Sequence, residues 1–166
     1  MADYPYGLSA ELGPAQCAQL EATPVSLGQD VTLNAAVVIV GWAEHVTRLH
    51  AERVYIRAEH RDYWNPHDYV AALLLRRFAA WALDLLDADL RASATQAVGR
   101  FDDLLRSFTE PDERGVVRRF SPDDADTDSQ EWWWGRIPTS GPVREELESW
   151  WVRISTPGPV PEELGQ

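Results

Sequence analysis

Residues 65–108, NPHDYVAALLLRRFAAWALDLLDADLRASATQAVGRFDDLLRSF, form the longest apolar-periodic run of this chain and constrain everything around it. Asn65 can cap a helix, and Pro66 suits its first position, where a backbone N–H would have no partner. Asp68 then sets a negative charge against the positive end of the helix dipole. Between residues 70 and 86 nearly every side chain is apolar except Arg76, Arg77 and Asp84. A helix that is apolar on most faces must be covered on most faces, which predicts that this segment is the central helix of a helical core. From Leu90 the pattern narrows to one stripe, Leu90, Ala94, Ala97, Phe101, Leu104 and Phe108, whose alternating steps of four and three make a heptad-like seam. That seam can serve the core or pair two copies of the chain. One unbroken helix over the 44 residues would be about 66 Å long, which is long for one compact domain. Asp87-Ala88-Asp89 is the natural break, giving helices over 66–86 and 89–109, with one continuous helix as the alternative.

The rest of the chain fits around this block. At 166 residues with 45% hydrophobic content it has length and apolar mass for one core. We expect a single helical domain over 1–155 with an N-terminal arm, then a flexible tail over 156–166, where TPGPVPEELGQ carries three prolines. A short helix over 14–21 begins at Pro14. Periodicity through Val38, Trp42, Val46, Leu49 and Ile56 favours a helix over much of 31–61 with Asp30 as its cap, although the run Val37-Val38-Ile39-Val40 has strand propensity. Glu44, Arg48 and Glu52 read as a solvated ion-pair ladder. Val116-Val117-Arg118-Arg119-Phe120 and residues 131–137 are candidate strands of a hairpin with a long polar tip. Gly141-Pro142 opens a last helix whose buried face is Val143, Leu147, Trp150, Trp151 and Ile154. The predicted fold class is mainly α: a small bundle of three to four principal helices, with room for one short β-hairpin.

Composition removes several chemistries. All 15 basic residues are arginine. Without lysine there is no phosphate-loop amine, no kinase, no Schiff-base enzyme and no serine–lysine hydrolase. The formal charge of −12 disfavours broad nucleic-acid binding and suits a partner with a basic surface. The single cysteine, Cys17, excludes an intrachain disulfide and points to a reducing, cytoplasmic setting; a small buried hydrophobe is its expected role. No basic-then-apolar leader opens the chain, and the 70–86 segment is too short and too charged for a membrane span.

Few motifs carry chemistry. Asp124-x-Asp126-x-Asp128 resembles the opening of a calcium loop, but Ser129 and Gly135 stand where glycine and a bidentate acid are needed. His45 and His50 are five apart and point away from each other on a helix, so no metal pair forms, and neither metal nor cofactor is expected. There is no Gly-x-Ser-x-Gly elbow, and Asp102-Asp103 read as exposed solubilising groups. The run Trp132-Trp133-Trp134 is the most unusual local feature: three successive residues cannot all face inward, so at least one belongs near the surface. With Arg136 beside them, these tryptophans are the candidate contact anchors, and Asp123, Asp124, Asp126 and Asp128 would steer a basic protein toward them.

One spacing suggests a catalytic rival. In Arg61-Asp62-Tyr63-Trp64-Asn65-Pro66-His67 the arginine, polar residue and later histidine resemble the motif of HEPN-type ribonucleases. The resemblance implies a small, often dimeric helical domain that cleaves RNA without metal, with His67 as acid or base and Arg61 stabilising the anionic phosphorane. The Asn-Pro inside the motif departs from the family's usual helical setting. The leading expectation is a non-catalytic protein-binding module: an adaptor, an inhibitor or immunity-type protein, or an assembly subunit. The ribonuclease is the alternative.

Overall fold

The structure, a computed structural model, describes residues 7–124 and 131–156. In chain order these form α1 (Leu8–Glu11), α2 (Pro14–Ala22), β1 (Pro24–Gly28), β2 (Val31–Asn34), α3 (Ala35–Glu52), α4 (Pro66–Asp84), α5 (Ala88–Phe108), β3 (Thr109–Pro111), α6 (Val116–Phe120), a 3-10 turn (Trp132–Gly135), β4 (Arg136–Pro138) and α7 (Pro142–Ser155). The fold is mainly α, as expected, and α3, α4, α5 and α7 are its four principal helices.

Capping chemistry sets the boundaries. Asn65 Oδ1 accepts from the N–H groups of His67 (2.8 Å) and Asp68 (3.4 Å), while Asp68 Oδ2 accepts from the N–H of Asn65 at 2.8 Å. That reciprocal box starts α4. Asp87 Oδ1 accepts from Leu90 N–H at 2.9 Å, so the 65–108 block is two helices broken at the expected place. Farther upstream the sequence reading shifts. Gln29 and Asp30 both adopt positive φ after Gly28, so the chain reverses there and Val31–Asn34 pairs antiparallel with Pro24–Gly28. Asp30 is therefore a turn residue rather than a cap. Asn34 caps α3 instead, accepting from Val37 N–H at 2.9 Å.

The second hairpin also differs from expectation. Residues 116–120, read as a strand, are helical because Gly115 turns left-handed (φ 65°) and Asp112 Oδ2 accepts from Val117 N–H at 2.8 Å. The strand that pairs with Arg136–Pro138 is Thr109–Pro111, directly after α5. Helix α3 ends at Glu52, well short of residue 61. Glu52 is buried, its carboxylate accepting from Arg48 Nε (2.8 Å) and from the N–H of Trp64 (2.6 Å), so the expected solvated ladder is in part an anchor for the returning chain. Gly141, at φ 89°, lies so close to Arg53 that a Cβ there would meet backbone atoms at 2.8–3.0 Å, which fixes α7 against this connection.

The core is centred on α3, not on α4. Ala35, Val38, Ile39, Trp42, Ala43, Val46 and Leu49 are buried, and α3 packs against α2, β2, α4 and α5. The α5 seam faces inward: Leu90, Ala94, Ala97, Phe101 and Phe108 are buried together with Leu105, while Leu104 is only half-buried because a straight helix drifts away from a seven-residue repeat. That seam belongs to the core and is not free to pair two copies. Across it, Arg76 of α4 (8% exposed) forks onto Asp102 of α5 (6% exposed) through Nε–Oδ1 at 2.6 Å and Nη2–Oδ2 at 2.9 Å, so Asp102 is no solubilising group; Asp103 beside it is exposed. On α7, Val143 and Leu147 are buried and Trp150 and Trp151 half-buried, but Ile154 is exposed. Residues 157–166 of the expected tail lie outside the described residues.

His45 gives this packing a pH signature. Its ring lies 4.6 Å from the Trp64 ring, with Nδ1 2.9 Å from the carbonyl of Gly41. Burial pulls the imidazole pKa down, and only in part does the Gly41 carbonyl offset this. The unfolded chain therefore takes up the proton first, so the stability from a neutral His45 is complete above about pH 6.5 and falls as the pH drops below it. Thermal melts between pH 7.5 and 5.5 should show this loss, and a His45→Gln chain should show a smaller one. An unchanged slope would remove His45 from the account.

Candidate functional site

One side of α4 carries an apolar stripe. Leu74, Phe78, Trp81 and Leu85 follow at steps of four, three and four, which aligns them along one stripe about 16 Å long. Leu74 and Phe78 are half-buried, Trp81 is 41% exposed and Leu85 is 58% exposed. The Phe78 and Trp81 rings meet at 5.3 Å, so the ridge is a packed surface and not a row of separate side chains.

Helix α3 carries an apolar groove of its own. Gly41 has no side chain, and a Cβ at that position would sit 3.4 Å from both methyl groups of Leu75, so the glycine lets α4 approach α3 closely here. Beside it, Ala36, Val37, Val40 and Gly41 line an open groove of about 490 Å³ whose ends carry Glu21 and Glu44. Val37 is 49% exposed. Both helices thus expose apolar side chains, α4 along its stripe and α3 along this groove.

Charge at their rim is mixed but mostly acidic, with Arg91 donating to the carbonyls of Leu83, Asp84 and Leu86 at the end of α4. Arg77 is clamped by Glu131, with Nε and Nη2 at 2.8–3.1 Å from the carboxylate, and Nη1 donates to the carbonyl of Asp124 at 2.7 Å. Arg48 is held by Glu52, with its guanidinium over Trp64. The carboxylates of Glu44, Asp84 and Asp123 have no ion pair among the described residues. Because Arg77 holds the Asp124 backbone, the acidic turn at 121–124 lies alongside α4, and the rim presents net negative charge.

The tryptophan run lies elsewhere and does other work. Trp133 and Trp134 are buried, so they are not contact anchors. The chain coils into the 3-10 turn there, which drives both rings inward, where Arg76 sits over Trp133 and Arg77 faces Trp134. Trp134 Nε1 donates to Glu131 at 2.9 Å. Trp132 is half-buried, and the Arg106 guanidinium covers its face at 3.8 Å. Arg136 is a structural clamp: Nε donates to Thr109 Oγ1 at 3.0 Å and Nη2 to the Thr109 carbonyl at 2.6 Å, while the Arg136 carbonyl accepts from the Tyr69 hydroxyl at 3.0 Å. Asp123 is exposed and Asp124 accepts from the Ser121 hydroxyl; Asp126 and Asp128 lie outside the described residues.

His67 lines a cleft of about 540 Å³ at the start of α4, whose guanidinium groups come from Arg57 and Arg153, and Arg61 lies outside its lining. Cys17 is buried, its thiol against the Leu12 carbonyl at 3.5 Å.

Among the described residues no helix is long and apolar enough to cross a membrane. Comparison with known proteins gives no match to a family model, a curated protein or a solved structure.

Proposed function

We propose that the chain is a protein-binding module, non-catalytic in itself, and that its docking surface is the apolar face of α3 and α4. The observation that carries this reading is Trp81 standing 41% exposed in the middle of an apolar stripe on a helix whose other side is core. Single exposed apolar residues are ordinary; a packed apolar stripe on one helix, with a second apolar groove on the helix packed against it, is the pattern of an interface. Tryptophan is the residue type most enriched at binding hot spots.

The geometry favours one occupant, an amphipathic helix of another protein. A ridge at four-three-four spacing beside a groove accepts a helix laid along it, whose apolar residues at matching spacing would meet Leu74, Phe78, Trp81 and Leu85. The unpaired Glu44, Asp84 and Asp123 favour arginine and lysine on that helix's flanks and speed its approach. An adaptor, an inhibitor or an assembly subunit would all use such a surface.

Affinity capture from the source cell's lysate, with the Trp81→Glu chain run beside the parent, tests this. The expected result is a stoichiometric protein retained by the parent, weakened at high salt and lost from Trp81→Glu. The same proteins retained by both chains would overturn the reading.

A further inference from the structure

The cleft at the start of α4 is independent of the docking face and has a different chemistry. It is bounded by the start of α4, by α6, by α7 and by the connection that follows α3, and its working residues are Arg57, His67, Phe120, Glu146, Trp150 and Arg153. Three rings stand in a row along one wall: His67 lies 4.9 Å from Phe120, and Phe120 lies 5.2 Å edge-on to Trp150. Glu146 accepts from the Tyr63 hydroxyl at 2.8 Å and lies 3.7 Å from Arg57, whose Nε donates to the same hydroxyl at 3.2 Å. Tyr63 thus positions both groups. Arg153 has no ion pair, and the His67 ring nitrogens have no hydrogen bond, among the described residues.

Arg57 is shared with Glu146 and lies in the field of Glu145, and Arg153 supplies a second guanidinium that has no ion pair among the described residues, in a protein of net charge −12. Planar guanidinium forks fit phosphate oxygens, and the aromatic wall offers a stacking surface for a flat ring. At about 540 Å³ the cleft has the size of a small-molecule site. The overall charge of −12 disfavours a long polyanion more than a single phosphate ester. We propose that this cleft binds a free nucleoside monophosphate, with its phosphate between Arg57 and Arg153 and its base against Trp150 and Phe120.

Calorimetric titration of the full chain with adenosine 5′-monophosphate tests this, with adenosine, inorganic phosphate and a single-stranded RNA of about twelve nucleotides as separate ligands. The nucleotide is expected to bind with Kd below about 1 mM, and adenosine or phosphate alone at least about tenfold more weakly. Arg153→Ala and Trp150→Leu should each weaken the nucleotide by about tenfold while melting like the parent. The exposed position of Arg153 at the end of α7 keeps that variant folded. No binding at about 10 mM nucleotide would overturn the proposal. So would phosphate binding as tightly as the nucleotide, an Arg153→Ala chain of parental affinity, or an RNA that binds more tightly than the monophosphate.

Discussion

An Asp102→Ala chain is expected to lose about 3–5 kcal/mol of stability in urea unfolding, the largest effect of any single polar substitution here. Among the described residues the carboxylate is the sole hydrogen-bond partner of the buried Arg76 fork, and Arg76 Nη1 has none. Removing Asp102 leaves a full positive charge between α4 and α5 with only the Trp133 ring face, at 4.4 Å, to attract it. A cation over an aromatic ring offsets about 0.5–2 kcal/mol, too little to compensate. The double variant Arg76→Leu, Asp102→Leu should recover most of the loss, since apolar groups of similar volume avoid the desolvation of both ions. A loss below about 1 kcal/mol for Asp102→Ala would show that water reaches the pair and that it does not hold the two helices together.

Trp81→Ala is expected to behave in the opposite way. Stability should change by at most about 1 kcal/mol, because the ring is 41% exposed and meets Phe78 at a tilt of 53°. Affinity for the docked partner should fall by about 2–4 kcal/mol, or roughly 30- to 1000-fold, the cost of deleting a central tryptophan from an interface. The two substitutions separate what the α4 helix does for the fold from what it does for binding. If Trp81→Ala destabilised the chain as much as Asp102→Ala does, the ridge would be part of the core.

Much of the fold was legible from local chemistry. Asn65-Pro66, Asp87 and Gly141-Pro142 name helix starts because a cap depends on a few consecutive residues. The turn at Gln29 and Asp30 was missed because neither residue favours positive φ strongly, and the pairing of Pro24–Gly28 with Val31–Asn34 decides their conformation. The pairing of Thr109–Pro111 with Arg136–Pro138 is likewise a tertiary fact. Asp102 looked like a solvated acid because its partner, Arg76, lies 26 residues away on another helix.

The candidate site was misread for a related reason. Composition drew attention to Trp132, Trp133 and Trp134, yet Arg106, Arg76 and Arg77 respectively lie over those rings. The α4 stripe was visible as Leu74, Phe78, Trp81 and Leu85, but inside a helix apolar all round it read as core. Only the arrangement of α3, α5 and β1 shows that its neighbours cover one side and leave the other open. A four-three-four tryptophan-centred stripe within such a helix is the signal that would have found it.

Photo-cross-linking in the source cell tests the docking face most directly, with a benzophenone side chain placed at Val37 or Leu85, and at Thr95 on exposed α5 as a control. The expected result is one predominant adduct from Val37 and from Leu85, to the same protein, mapped to a helix with basic flanks, and none from Thr95. No adduct from either face position, an adduct equally strong from Thr95, or one joining the chain only to itself would contradict a docking face for a basic helical partner.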